Sequence, residues 1–145
     1  MKIAIGTDHR GTTLKNEIID KLKDKYEFID CATDTHEGDD YPDYAKRVCD
    51  KVLNKEADYG LLICGTGIGM SIAANKVKGI RCALVHNEDE AFLARMHNDA
   101  NIIAFGSYKT SDEMCSLLDI FVNVDVSTRE ERHTRRVNKI ISLEE

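Results

Sequence analysis

No stretch of this 145-residue chain is apolar for long enough to span a membrane, and Met1–Gly6 is too short for a secretory signal. A cytoplasmic protein with no membrane partner is expected. Positive charge is in deficit: 20 Lys and Arg against 26 Asp and Glu give a formal net charge of −6. A general nucleic-acid binder needs clustered Lys and Arg, so that class is disfavoured. Metal-ligand spacing is missing too. His9, His36, His86, His97 and His133 form neither an H-E-x-x-H motif nor a close pair, and Cys31, Cys49, Cys64, Cys82 and Cys115 contain no C-x-x-C. No metal and no cofactor are implied, and scattered cysteines of odd number suit a reducing compartment. Linkers, internal repeats and low-complexity segments are also lacking, so residues 1–145 read as one domain.

What is present alternates. Strand patterns fall at Lys2–Gly6, Tyr26–Asp30, Tyr59–Cys64, Arg81–Val85 and Asn101–Phe105. Helical patterns fall at Leu14–Lys25, Asp43–Leu53, Gly69–Lys76, Glu88–Met96, Ser111–Val122 and Arg129–Ile141, the only proline, Pro42, standing at the start of the second. The segment Asp34–Asp40 reads as a polar loop. Such alternation with short connections predicts a doubly wound parallel sheet covered by helices on both faces. Ligands then bind beyond the carboxyl ends of the strands, where Thr7–Gly11, Cys64–Gly69, His86–Asn87 and Gly106–Tyr108 are expected.

Within that frame the most informative segment is Cys64-Gly65-Thr66-Gly67-Ile68-Gly69, a strand-to-helix turn. Missing side chains let backbone N–H groups approach an anion, and a thiol stands at the turn's mouth, where a helix dipole favours the thiolate. The commoner glycine motifs do not fit. A dinucleotide fingerprint needs glycine at Met70, and the near miss Gly6-Thr7-Asp8-His9-Arg10-Gly11-Thr12-Thr13 has Thr12 in place of the phosphate-loop lysine. Each remaining candidate has a plainer reading. Cys64 could be a small buried hydrophobe, Asp8 a helix cap, and His97-Asn98-Asp99-Ala100-Asn101 a capping turn. Arg132 and Arg136 share a helical face and could converge on one anion, but they stand among Arg129, Glu130, Glu131 and Arg135, as a solvated face would have it.

Taken in order, Asp8-His9-Arg10-Gly11, Asp40-Tyr41-Pro42, the Cys64–Gly69 turn, Ile72-Ala73-Ala74-Asn75-Lys76, Gly79-Ile80-Arg81, the His97–Asn101 cluster, Ala104-Phe105-Gly106 and Arg132-His133-x-x-Arg136 resemble the type B ribose-5-phosphate isomerase family, which also contains the galactose-6-phosphate isomerase subunits. The resemblance implies a Rossmann-like three-layer α/β/α sandwich with a five-stranded parallel sheet. It also implies a homodimer or homotetramer with sites built across the subunit interface. The implied reaction interconverts ribose 5-phosphate and ribulose 5-phosphate without metal, as part of the pentose phosphate pathway. Carried over, Cys64 resembles the catalytic base, Thr66 a residue assisting at the reacting oxygens, and His97 the group that opens the furanose ring. Asp8, His9, Tyr41 and Asn98 resemble sugar contacts, with Gly65, Gly67, Ile68 and Gly69 as backbone donors. Arg132 and Arg136 resemble a phosphate clamp reaching in from the partner.

Two departures touch the phosphate end. Tyr108 stands where family members often carry arginine, with Lys109 or His9 as possible substitutes, and Arg129-Glu130-Glu131 replaces a commonly glycine-rich segment. A six-carbon substrate, allose or galactose 6-phosphate, is the alternative. Galactose-type subunits tend to lose the His97-Asn98 and Arg132-His133 patterns, both kept here.

Overall fold

The computed structural model describes residues 1–145, and in it five strands form one parallel sheet: β1 Lys2–Thr7, β2 Glu27–Asp30, β3 Tyr59–Cys64, β4 Cys82–Leu84 and β5 Ile102–Gly106. Their order is β2-β1-β3-β5-β4. Ile3, Ile5, Leu61, Leu62, Ile63 and Ile102–Phe105 are fully buried, as near-continuous apolar strands must be when both faces of a parallel sheet are covered. On one face lie α1 (Thr12–Leu22), α4 (Glu88–Met96) and α5 (Ser111–Val122), packed through Ile18, Ala91, Met114 and Phe121. On the other lie α2 (Tyr41–Leu53) and α3 (Ile68–Asn75), packed through Tyr44, Val48, Met70 and Ala74. The architecture is therefore the expected Rossmann-like three-layer α/β/α sandwich. Helix α6 (Glu131–Ser142) differs: it buries only His133 and Val137 and leaves Ile140 and Ile141 exposed.

Element boundaries moved where side chains captured backbone groups. One 3-10 turn, His9–Gly11, precedes α1, because Asp8 Oδ1 accepts the Arg10 N–H at 3.0 Å. Helix α2 starts at Tyr41, with Pro42 inside its first turn. Strand β4 is shorter than expected because the Arg81 N–H goes to Asn101 Oδ1 at 2.8 Å. Helix α6 starts two residues after the expected Arg129. That arginine is spent on the C-terminus of α4, its Nε donating to the Met96 carbonyl at 2.7 Å and its Nη2 to that of Arg95.

Between α1 and the end of β2 the Lys15 side chain is 3% exposed. Its ammonium meets Asp30 Oδ2 at 2.9 Å and the Ala32 carbonyl at 2.8 Å. Removing the carboxylate strands a buried cation, whereas removing the cation leaves an aspartate that water can reach. Asp30→Ala should therefore lower the unfolding free energy by about 3 kcal/mol, and Lys15→Met should cost clearly less, both read from urea denaturation. Equal losses would contradict this assignment of the buried charge.

Candidate active site

The chain leaves β1 toward β2 on one side and returns through α2 to β3 on the other. The crevice between the carboxyl ends of β1 and β3 is thus the topological switch point of the sheet. Cys64 ends β3 at this edge, opposite Gly106 in the register with β5, and its side chain is buried. Gly67 has φ +77°, and a Cβ there would stand 2.6 Å from Leu84 Cδ1 and 2.7 Å from the Phe105 carbonyl carbon. Only glycine fits. Thr66 Oγ1 accepts the Ile68 N–H at 3.2 Å. The amides of Gly65, Gly67 and Gly69 donate to no carbonyl of the chain, which leaves a run of N–H groups at the start of α3 for an anion. Side chains crowd this run: the Arg10 guanidinium lies over Gly65, and the Tyr41 ring over Gly69.

Asp8 is buried and spends Oδ1 on the Arg10 N–H, so its capping role is real and sits inside the site. Beside it, His9 Nδ1 lies 2.6 Å from Asp39 Oδ1. Burial alone would raise the Asp39 carboxyl, yet hydrogen bonds from His9, His36 and Tyr44 hold it well below the usual carboxylate range. The same contact acts on Tyr44, whose hydroxyl is pushed up to about 12 by burial and by donation to Asp39. Sequence reasoning missed Asp39, whose only signal was its place just before Asp40-Tyr41-Pro42.

The other candidates gather elsewhere. His97 follows α4 and stacks face to face on His133, ring centroids 3.9 Å apart and planes 11° from parallel. Burial, then His97 and Arg132, push the His133 imidazole below its ordinary value. Its Nε2 accepts from Arg132 Nε at 3.4 Å. Arg132 and Arg136 are exposed. Asp99, at φ +49°, takes Arg81, Arg95 and Arg129 onto its carboxylate. Asn101 bridges the Arg81 N–H and the Gly79 carbonyl. The capping-turn reading thus holds for Asp99 and Asn101 and leaves His97 and Asn98 uncommitted. Asn98 lines a cleft of about 670 Å³ with Lys76, Lys78, Arg81, Ile140 and Leu143.

These two groups are at opposite edges of the sheet. His97 and Asn98 precede β5, whose Ile102 pairs with Gly60, whereas Cys64 pairs with Gly106 at the far end. Four residues of strand at roughly 3.3 Å each set the two ends of β5 on the order of 13 Å apart, with Cys64 level with one end and His97 before the other. Within one chain, Asp8, His9, Tyr41, Cys64, Thr66 and the glycines come together; His97, Asn98, Arg132 and Arg136 do not join them. Lys109, a possible substitute for the missing arginine, is committed: its ammonium donates to the His86 carbonyl at 2.6 Å.

Residues 3–140 match the Ribose/Galactose Isomerase family. The ribose-5-phosphate isomerase B of Escherichia coli is 43% identical over 146 residues, covering 99% of this chain and 97% of that protein. A solved structure of the Clostridium thermocellum ribose-5-phosphate isomerase B superposes with TM-score 0.92 at 46% identity, covering 99% of this chain and 97% of that one. That of Mycoplasma genitalium, with bound ribulose 5-phosphate, gives 0.90 at 44% identity, covering 99% and 95%.

The glycine turn offers a direct test. Gly38 and Gly67 both have positive φ, but a Cβ on Gly38 meets nothing within 4 Å. Gly38→Ala should cost about 1 kcal/mol, the left-handed penalty alone, and Gly67→Ala at least twice that. Equal unfolding midpoints for the two variants would contradict the crowding seen at Gly67.

Proposed function

The chain belongs to the ribose/galactose isomerase family, and on that premise we propose that it interconverts D-ribose 5-phosphate and D-ribulose 5-phosphate through an enediolate. The observation that carries this reading is a thiol at a strand end joined to a run of free backbone N–H groups. Aldose–ketose isomerisation needs one base able to reach two adjacent carbons and donors for the oxyanion that develops beside them. The thiolate of Cys64 takes the proton from one carbon and returns it to the next. The amides of Gly65, Gly67 and Gly69 and the Thr66 hydroxyl hold the developing charge, the expected Ile68 donor being taken by Thr66 Oγ1, and Asp8, His9 and Tyr41 bind the sugar. His97 protonates the ring oxygen as the furanose opens, with Asn98 as a further sugar contact. Arg132 and Arg136 grip the phosphate, each able to offer a planar fork of donors.

Because the two residue groups occupy opposite sheet edges, a complete site takes Cys64 from one copy and His97, Arg132 and Arg136 from another. Exposed apolar residues beside both groups support this pairing: Ile68 and Ile72 on α3, and Ile140, Ile141 and Leu143 at the end of α6. The assembly is a homodimer, or a homotetramer made of such dimers, of a single-domain chain. Five free buried cysteines suit a reducing cytoplasm, and the reaction belongs to the pentose phosphate pathway.

A coupled assay on the purified protein should show turnover of ribose 5-phosphate well above that of allose or galactose 6-phosphate. Cys64→Ala should lose at least about a hundredfold in kcat, the lower end expected for an essential proton-transfer group, with its unfolding midpoint kept. Retention of more than about a tenth of the wild-type rate would remove Cys64 from the chemistry.

A further inference from the structure

Asp39 is the most heavily used carboxylate near the candidate site, and the reaction as written gives it no task. Its side chain is 2% exposed, while His9 beside it is 34% exposed. Oδ1 takes the His9 backbone N–H at 3.1 Å and the His9 ring at 2.6 Å. Oδ2 takes the His36 N–H and the Tyr44 hydroxyl, each at 3.0 Å. Asp8, His9 and Asp39 bring one ligand atom each within 4.8 Å of one another, a spacing that a metal ion could use. Both Asp39 oxygens, however, already accept two donors apiece, and Asp8 Oδ1 holds the Arg10 N–H. The cluster is committed to orienting its members.

From this geometry we infer that Asp39 is a positioning residue that keeps the His9 proton on Nδ1 and so presents a bare Nε2 in the neutral ring to a sugar hydroxyl. The logic is one of donors and acceptors. Asp39, held ionised by its four donors, can only accept, so the ring nitrogen facing it must carry hydrogen. The second bond, to the His9 backbone, fixes the residue that carries the ring, and Tyr44 ties the carboxylate to α2. A histidine without such a partner distributes its proton between both nitrogens and turns freely about χ2. The substrate side of the inference rests on the isomerase reading; the tautomer does not.

A two-bond 1H–15N correlation spectrum of the wild-type protein, recorded at a pH where the His9 ring is neutral, should show it protonated at Nδ1 and bare at Nε2. In Asp39→Asn it should move to the mixed pattern of a free imidazole, while Tyr44→Phe, which leaves both His9 bonds in place, should keep the wild-type pattern. Kinetically, Asp39→Asn should raise KM for ribose 5-phosphate about tenfold with kcat changed by less than about threefold, as expected when a ground-state contact is lost. In a His9→Gln background the same change should add almost nothing. A wild-type His9 protonated at Nε2 alone, or an Asp39→Asn loss that persists in full without His9, would overturn the inference. If Asp39→Asn does not fold, the wild-type spectrum alone decides. That spectrum needs no substrate, so an Nδ1–H pattern in a protein that fails to turn over ribose 5-phosphate would sink the proposed reaction and leave the role of Asp39 standing.

Discussion

Parallel strands sort residues by edge: whatever follows a strand goes to one side of the sheet, and whatever precedes it goes to the other. In this chain that rule separates the thiol from the imidazole. Cys64 closes β3 and lies level with the end of β5, while His97 and Asn98 lie just before β5 begins. No local rearrangement of loops reverses the direction of a strand buried on both faces. The proposed sharing of the site between two copies rests on this constraint, as does the isolation of His97 and Asn98 from the glycine turn.

Each edge is organised by one aspartate. At the carboxyl edge Asp39 gathers two N–H groups, an imidazole and a phenol, joining the loop after β1 to the start of α2. At the amino edge Asp99 gathers three arginines, joining α4 to the entry of β4 and to the segment before α6. A carboxylate with several donors stiffens everything it touches, because moving any one partner leaves a costly unsatisfied charge in a partly dry setting. Neither aspartate is offered to a ligand. Their neighbours are: His9 beside Asp39, and His97 and Asn98 beside Asp99.

The fold was legible because its signal is periodic. Short apolar runs alternating with amphipathic segments marked all five strands and all six helices, and the glycine turn marked the ligand-binding edge. Errors were confined to ends, where Asp8, Asn101 and Arg129 captured backbone groups that the pattern alone assigned to neighbouring elements. The site was half legible. Cys64 and its turn announce themselves, since an unpartnered thiol before Gly-x-Gly-x-Gly has few structural uses. Asp39 did not, because a buried acceptor in a polar loop looks like any solvated acid until its four donors are seen in space. The division of the candidates between two edges was implicit in motif order, because Cys64 ends the third strand and His97 precedes the fifth, and in a parallel sheet those places lie at opposite ends, in keeping with the interfacial site the resemblance implied.

The shared site can be tested by mixing two disabled copies. Cys64→Ala and His97→Asn proteins, each assayed alone on ribose 5-phosphate, should be severely impaired. Unfolded together and refolded as a random mixture, half of the dimers carry one chain of each kind, and one of their two sites then holds an intact Cys64 facing an intact His97. Activity should recover to about a quarter of the wild-type value, as the two-fold symmetry of a dimer dictates. If both residues served a site within a single chain, every site in the mixture would carry one lesion, and no recovery above the separate variants would be seen. That result would contradict the division of the site between copies.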